Sequence, residues 1–238
     1  RYASFSLAPD GRCVYAVRED HRGEGDPKDT LVALSLHDGA ETVVAEGADF
    51  YSTPTPSPDG NHLAWIEWDH PAMPWTNSRL CVTRLDDPHS RKVLAGGSVS
   101  PAGKPESLTE PQWADDRTLF AISDRNGWWT LWRFALAGGT AESICEVEAE
   151  IGQPHWVFGQ RSYSLLPDGR ILALGVNAGQ TQMLMLTPKS ASGYDITPAA
   201  MGLPEQCPLL FGDRFAWLDG SPDRAASVVV GAPGQTPH

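Results

Sequence analysis

The sequence predicts an all-β fold, a β-propeller of about five four-stranded blades with the last blade incomplete. A Pro-Asp-Gly type of turn recurs along the chain, each copy precedes a short alternating run of β-forming residues, and 20 prolines leave little room for long helices. The turns are Ala8-Pro9-Asp10-Gly11, Ser57-Pro58-Asp59-Gly60, Ala114-Asp115-Asp116-Arg117, Leu166-Pro167-Asp168-Gly169 and Phe211-Gly212-Asp213-Arg214. Their markers Asp10, Asp59, Asp115, Asp168 and Asp213 are spaced by 49, 56, 53 and 45 residues. Repeats of that length with four strands each match blades packed face to face around a channel; a β-sandwich shows turn signals without so long a period.

In the first repeat, roughly residues 1–48, strands are expected near Ala3–Leu7, Arg12–Val17, Thr30–Leu36 and Glu41–Ala45. The second, 49–100, places them near Thr53–Pro56, His62–Trp68, Arg79–Leu85 and Lys92–Ala95. In the third, 101–150, Thr118–Ser123 and Trp128–Leu136 flank Asp124-Arg125-Asn126-Gly127, where Asn-Gly predicts a tight hairpin with positive φ angles. The fourth covers about 151–203. The fifth, 204–238, has no fourth strand after Val228-Val229-Val230, so the ring either closes with help from the N-terminus or stays open. An open ring would expose edge strands and invite a homodimer.

The 238 residues suit one all-β domain. With 30 acidic against 18 basic side chains the formal charge is -12, and no basic run is present, so nucleic acid is not expected as a partner. Cys13, Cys81, Cys145 and Cys207 are too widely spaced for a zinc site or a small disulfide scaffold and are expected to be buried and reduced. No stretch has the length of a membrane span or a signal segment, which points to a soluble, cytoplasmic protein. The chain opens on Arg1-Tyr2 and ends in the loop-like Gly231–His238, so both ends read as cuts.

Pro111-Gln112-Trp113-Ala114-Asp115-Asp116, followed by Ala121-Ile122-Ser123-Asp124-Arg125-Asn126-Gly127-Trp128-Trp129-Thr130-Leu131-Trp132, resembles the TolB-like propeller repeat. Ser57–Gly60 leading through Ala64-Trp65 to Trp68-Asp69-His70-Pro71-Ala72-Met73-Pro74-Trp75, and Gly152-Gln153-Pro154-His155-Trp156-Val157-Phe158-Gly159, are more specific. Together with Asp124–Leu131 they resemble the propeller of prolyl-oligopeptidase-family serine peptidases, near the acylaminoacyl-peptidase and dipeptidyl-aminopeptidase-like branch. The resemblance implies a propeller of usually seven or eight blades preceding an α/β-hydrolase domain, and short peptides as substrates. The Gly-x-Ser-x-Gly string of such a hydrolase is missing here; Gly96-Gly97-Ser98-Val99-Ser100 lacks the second glycine. No catalytic residue is therefore assigned, the hydrolase domain counts as absent, and the chain alone should not hydrolyse peptides.

Several residues are candidates for contact with substrate or with the hydrolase domain. Asp69, His70 and Trp75 lie in a loop longer than a hairpin needs, although self-packing would also explain it. Arg125 offers a forked donor to a peptide C-terminus or an inter-domain acid, but a structural pair with a neighbouring Asp or Glu is the favoured reading. Trp128 belongs to an aromatic group, with Trp129 and Trp132, whose positions fall on opposite strand faces; most serve blade packing. His155 and Trp156 line the channel or the core. His155 lacks the Cys, His or acidic neighbours of a metal site, and the Glu19-Asp20-His21 stretch with Glu24 reads as a solvated loop, so no metal or cofactor is expected.

Three functions fit these features. The first is a non-catalytic propeller that admits short peptides to a hydrolase domain and excludes folded proteins. The second is a stand-alone TolB-like scaffold for a protein partner. The third, a propeller lactonase or glycosidase, needs inward metal-binding acids or paired carboxylates that the sequence does not display.

Overall fold

Leu63-Ala64-Trp65-Ile66, Leu119-Phe120-Ala121-Ile122 and Ile171-Leu172-Ala173-Leu174 are apolar at every position, which marks strands covered on both faces. A computed structural model describes residues 1–100, 103–145, 149–190, 193–199, 206–212, 214–221 and 223–231. Its first sheet contains β1 (Tyr2–Leu7), β2 (Cys13–Asp20), β3 (Lys28–Ser35) and β4 (Glu41–Ala45). The second has β5 (Phe50–Pro56), β6 (His62–Trp68), β7 (Arg79–Arg84) and β8 (Asp87–Gly96). The third is β9 (Leu108–Asp115), β10 (Thr118–Ser123), β11 (Thr130–Ala135) and β12 (Glu142–Ser143). β13 (Tyr163–Leu165), β14 (Ile171–Asn177), β15 (Gln180–Pro188) and β16 (Tyr194–Pro198) form the fourth, and β17 (Leu209–Phe211), β18 (Arg214–Ser221) and β19 (Arg224–Gly231) the fifth.

Every sheet is an antiparallel meander in chain order, so the fold is a five-bladed propeller with three strands in its last described blade. The second strands are not half-polar, as simple alternation would have it, because each sheet sits between two others. Trp65 and Leu63 pack toward Tyr15 and Leu31 of the first blade, whereas Ala64 and Ile66 pack toward Leu119 of the third. Phe120 and Ile122 meet Tyr163 and Ile171, and Leu172 meets Phe215 and Trp217. The core is thus a series of apolar layers, one between each pair of neighbouring blades. Cys81, Cys145 and Cys207 are buried, Cys13 is half-buried, and all four are free thiols.

The Pro-Asp-Gly turns close through a repeated hydrogen bond, such as Gly11 N to Ala8 O at 2.9 Å and Gly60 N to Ser57 O at 2.9 Å. Asp10, Asp59, Asp115 and Asp168 each accept from the backbone N–H two residues on. Asp213 lies outside the described residues. The Asn126-Gly127 hairpin is looser than expected. Gly127 takes φ 90° but Asn126 stays out of the left-handed region, and the strands resume only at the Ser123–Thr130 pair. Gly127 N donates instead to Asp124 O at 2.8 Å, which makes a turn inside a six-residue loop.

Prolines 54, 56 and 111 sit in inner strands, whose channel side needs no ladder donor. The same strands carry a feature that the sequence did not signal. Ser4, Thr53 and Glu110 have φ of 54°, 50° and 53°, each at a β-bulge in the same part of its blade. Such angles are costly for side chains with a Cβ, and for β-branched Thr53 most of all. Hydrogen bonds between blades hold them: Thr53 N donates to Ser4 Oγ at 3.0 Å, and Ser162 N to Glu110 Oε2 at 2.6 Å.

Both end blades carry exposed apolar side chains among the described residues. Phe5, Leu7 and Leu36 are exposed on the first, and Leu209, Phe211, Leu218 and Val228 on the last.

Candidate functional site

In an up-and-down blade the inner strand starts at one rim and the Pro-Asp-Gly turn closes at the other. The β6–β7 loop (69–78), the β10–β11 loop (124–129) and the described 149–162 connection therefore all lie at the rim where inner strands begin. Asp69, His70, Trp75, Arg125, Trp128, His155 and Trp156 share that rim. The structure then separates them.

Trp75, His155 and Trp156 come together around one cavity of about 530 Å³. The Trp75 and Trp156 rings are 4.2 Å apart between centroids and tilted by 36°, which clasps the β6–β7 loop to the 149–162 connection. Trp68 and Phe158 complete an aromatic wall, and Ile66 and Leu108 add aliphatic surface. Trp156, Val157 and Phe158 are exposed to 72%, 67% and 49%, an unusual run of solvent-facing apolar side chains. Gly152 lets the connection leave the core, since a Cβ there would lie 2.4 Å from Ile122 Cγ2.

The polar side of the cavity is fixed by a buried network. His155 Nε2 lies 3.0 Å from Glu110 Oε1, and Nδ1 lies 2.8 Å from Thr109 Oγ1. Glu110, 3% exposed, also accepts from Ser162 Oγ at 2.6 Å and Ser162 N at 2.6 Å. Hydroxyl, imidazole and carboxylate are the groups that activate a nucleophile in hydrolases. Here Thr109 is 5% exposed inside a strand ladder, which leaves its hydroxyl little access to a substrate carbonyl. The network positions the connection instead.

Other candidates are engaged in structure. Arg125 sends Nε and Nη2 to Glu106 Oε1 at 2.8 and 2.6 Å and lies over the Trp132 ring at 4.8 Å. Glu106 is 1% exposed, so the fork is committed to a buried structural acid and is not open to a peptide carboxylate. Beside it, burial pushes the Asp124 carboxyl above its ordinary range. Asp69 accepts from Asp49 N at 3.0 Å and pairs with Arg79 at 2.7 Å. Partial burial works to raise its pKa, but these partners outweigh it and hold the carboxyl low. His70 packs edge-on against Phe50 at 4.8 Å. Trp128 is 38% exposed in its loop, away from the cavity, and its N–H is held by Asn126 Oδ1.

A second hollow, of about 690 Å³, continues along the inner strands and shares Ser4, Thr53, Phe158, Gly159 and Gln160 with the first. Glu110 and Arg161 are its two charged residues among those described. Sequence reasoning missed Glu110, Thr109, Phe158 and Arg161. No group of three or more metal-binding side chains occurs among the described residues, and no described helix is long and apolar enough to cross a membrane.

No family model matches the chain, and no curated protein matches it in sequence. Solved structures do. A puromycin-hydrolysing peptidase of Mycobacterium tuberculosis aligns over 100% of this chain and 37% of its own, with 29% identity and a TM-score of 0.84. A puromycin hydrolase aligns over 98% of this chain and 36% of its own, with 29% identity and a TM-score of 0.83. A prolyl endopeptidase, at 14% identity and a TM-score of 0.73, shares the fold. The chain thus spans about a third of these proteins and is similar to their N-terminal propeller parts.

Proposed function

We propose that this chain is the non-catalytic propeller of a prolyl-oligopeptidase-type serine peptidase and governs which short peptides reach a hydrolase domain. The observation that carries this reading is the alignment of the whole chain with about a third of two puromycin-hydrolysing enzymes. The aromatic cavity supports it, since it opens at the rim and runs on into the channel hollow. A narrow axial passage admits extended peptides and excludes folded domains. A hydrolase domain is then the intramolecular partner, in a cytoplasmic setting, and the apolar end faces await either further blades or a second copy.

The test compares hydrolysis of chromogenic aminoacyl and acylaminoacyl substrates by this chain alone and by a longer protein that includes a hydrolase domain. Activity in the longer protein only, abolished by a serine-directed inhibitor, is the expected result. Turnover by the 238-residue chain itself would overturn the reading.

A further inference from the structure

Arginine is abundant at the surface of this protein, and most of its guanidiniums are spoken for. Arg18 pairs with Glu41, Arg79 and Arg91 with Glu67, Arg125 with Glu106, and Arg170 with Asp168. Arg161 is different. It is half-buried at the start of the fourth blade, it lines the channel hollow, and its side chain makes no hydrogen bond or ion pair among the described residues. The one carboxylate of that hollow among the described residues, Glu110, accepts at both oxygens from Ser162 and contacts His155, with no ion pair to Arg161. Among the described residues the channel wall therefore presents a cation without an ion-pair partner, next to the aromatic cavity, with Gly159 and Gln160 belonging to both hollows.

We propose that Arg161 is an anion subsite, which holds the carboxylate of a short peptide while an apolar side chain of that peptide fills the cavity between Trp68, Trp75 and Trp156. A guanidinium presents parallel N–H donors that match a planar carboxylate. A single cation suits a single negative charge, and the chain's net charge of -12 disfavours polyanions. The aromatic walls select an apolar neighbour, because the imidazole beside them has both nitrogens in use. The subsite rests on the peptidase reading for its choice of a peptide, but its test does not depend on hydrolysis.

Binding to this chain is measured by calorimetry with three probes: N-acetyl-glycyl-phenylalanine as the free acid, the same peptide as its amide, and N-acetyl-aspartyl-phenylalanine amide. The free acid should bind roughly 10- to 100-fold more tightly than its amide, the factor that a charge-assisted hydrogen bond carries. Arg161→Gln should erase that preference and Arg161→Lys should retain part of it. Trp156→Ala should weaken acid and amide alike. Arg161 has no described partner to lose, so Arg161→Gln should melt like the parent chain. If the aspartyl amide also gains affinity through Arg161, the subsite accepts any carboxylate; if it does not, the subsite reads the C-terminus. Equal binding of acid and amide, or no binding of either, overturns the proposal, whereas the hydrolysis comparison above can fail without affecting it.

Discussion

Glu110 is where backbone strain and buried charge coincide, so replacing it separates the two. Glu110→Ala removes an acceptor used by Ser162 N, Ser162 Oγ and His155 Nε2, all in a 3%-exposed setting. Leaving buried donors without their acceptor costs about 1–3 kcal/mol for each that stays unsatisfied, roughly 3–5 kcal/mol in all once some of the three find other partners. At ~2–4 °C per kcal/mol for a chain of this size, Tm should fall by roughly 6–20 °C. Glu110→Gln, which keeps one acceptor oxygen, should cost less. Glu110→Gly loses the same carboxylate as alanine but suits φ 53°. The left-handed penalty it relieves is ~1–2 kcal/mol, against ~0.5–1 kcal/mol for glycine's greater freedom when unfolded. Glycine should therefore be the milder replacement by about half to 1 kcal/mol, the reverse of the usual order in a strand. Urea unfolding of the three variants measures this directly. An alanine cost below ~1 kcal/mol would refute the anchoring role, and glycine worse than alanine would refute the role of strain.

Two further outcomes follow from charge and from exposed surface. Asp29 is pushed up to about 6, first by burial and then by the Glu19 carboxylate. With an unfolded value of ~3.9, the folded chain binds its proton more tightly, so this group's stabilisation is complete below about pH 4 and lost as pH rises through about 6. Asp29→Asn should thus be more stable than the parent at pH 7, with a gap that closes toward pH 4; urea midpoints that differ equally at both pH values would contradict this. The end-blade residues Leu218 and Val228, 51% and 71% exposed, should drive association as concentration rises. Light scattering should show mass growing with concentration for the parent and not for Leu218→Lys/Val228→Lys, and a parent chain monomeric throughout would exclude the contact.

The repeat was legible because turn chemistry is local: an Asp that bonds two residues ahead marks four of the copies, and at Gly11, Gly60 and Gly169 a glycine that tolerates positive φ completes the signal. Strand positions followed, since Leu63–Ile66 and Leu119–Ile122 leave no other economical arrangement. Candidate residues were legible only by rim. Trp75, His155 and Trp156 meet around a cavity, but nothing in their spacing distinguishes them from Asp69 or Trp128, which do not line it. The main reason is the buried acids. Glu67, Glu106 and Glu110 organise the arginines and the histidine at 0%, 1% and 3% exposure, yet a glutamate in a sequence reads as a surface residue. The structural acid favoured for Arg125 is Glu106, though its spacing did not name it, and Arg161 passed unnoticed for want of a motif. The bulges at Ser4, Thr53 and Glu110 leave no trace either, because three different residue types occupy one backbone shape.

The meander gives the molecule two unlike ends. At one end, connections of varied length carry Trp75, Trp156, the cavity and the His155 imidazole; at the other, the turns at Asp10, Asp59 and Asp168 repeat one hydrogen-bonded conformation. Variation in what the protein recognises is thereby confined to a single end, and change there need not disturb the turns that set the blades. The plain end is the place for a dye, a tether or a fused reporter: a label at the exposed Arg12 or Asn61, beside the turn glycines, would sit a full strand length from the aromatic clasp and leave recognition to be read without interference.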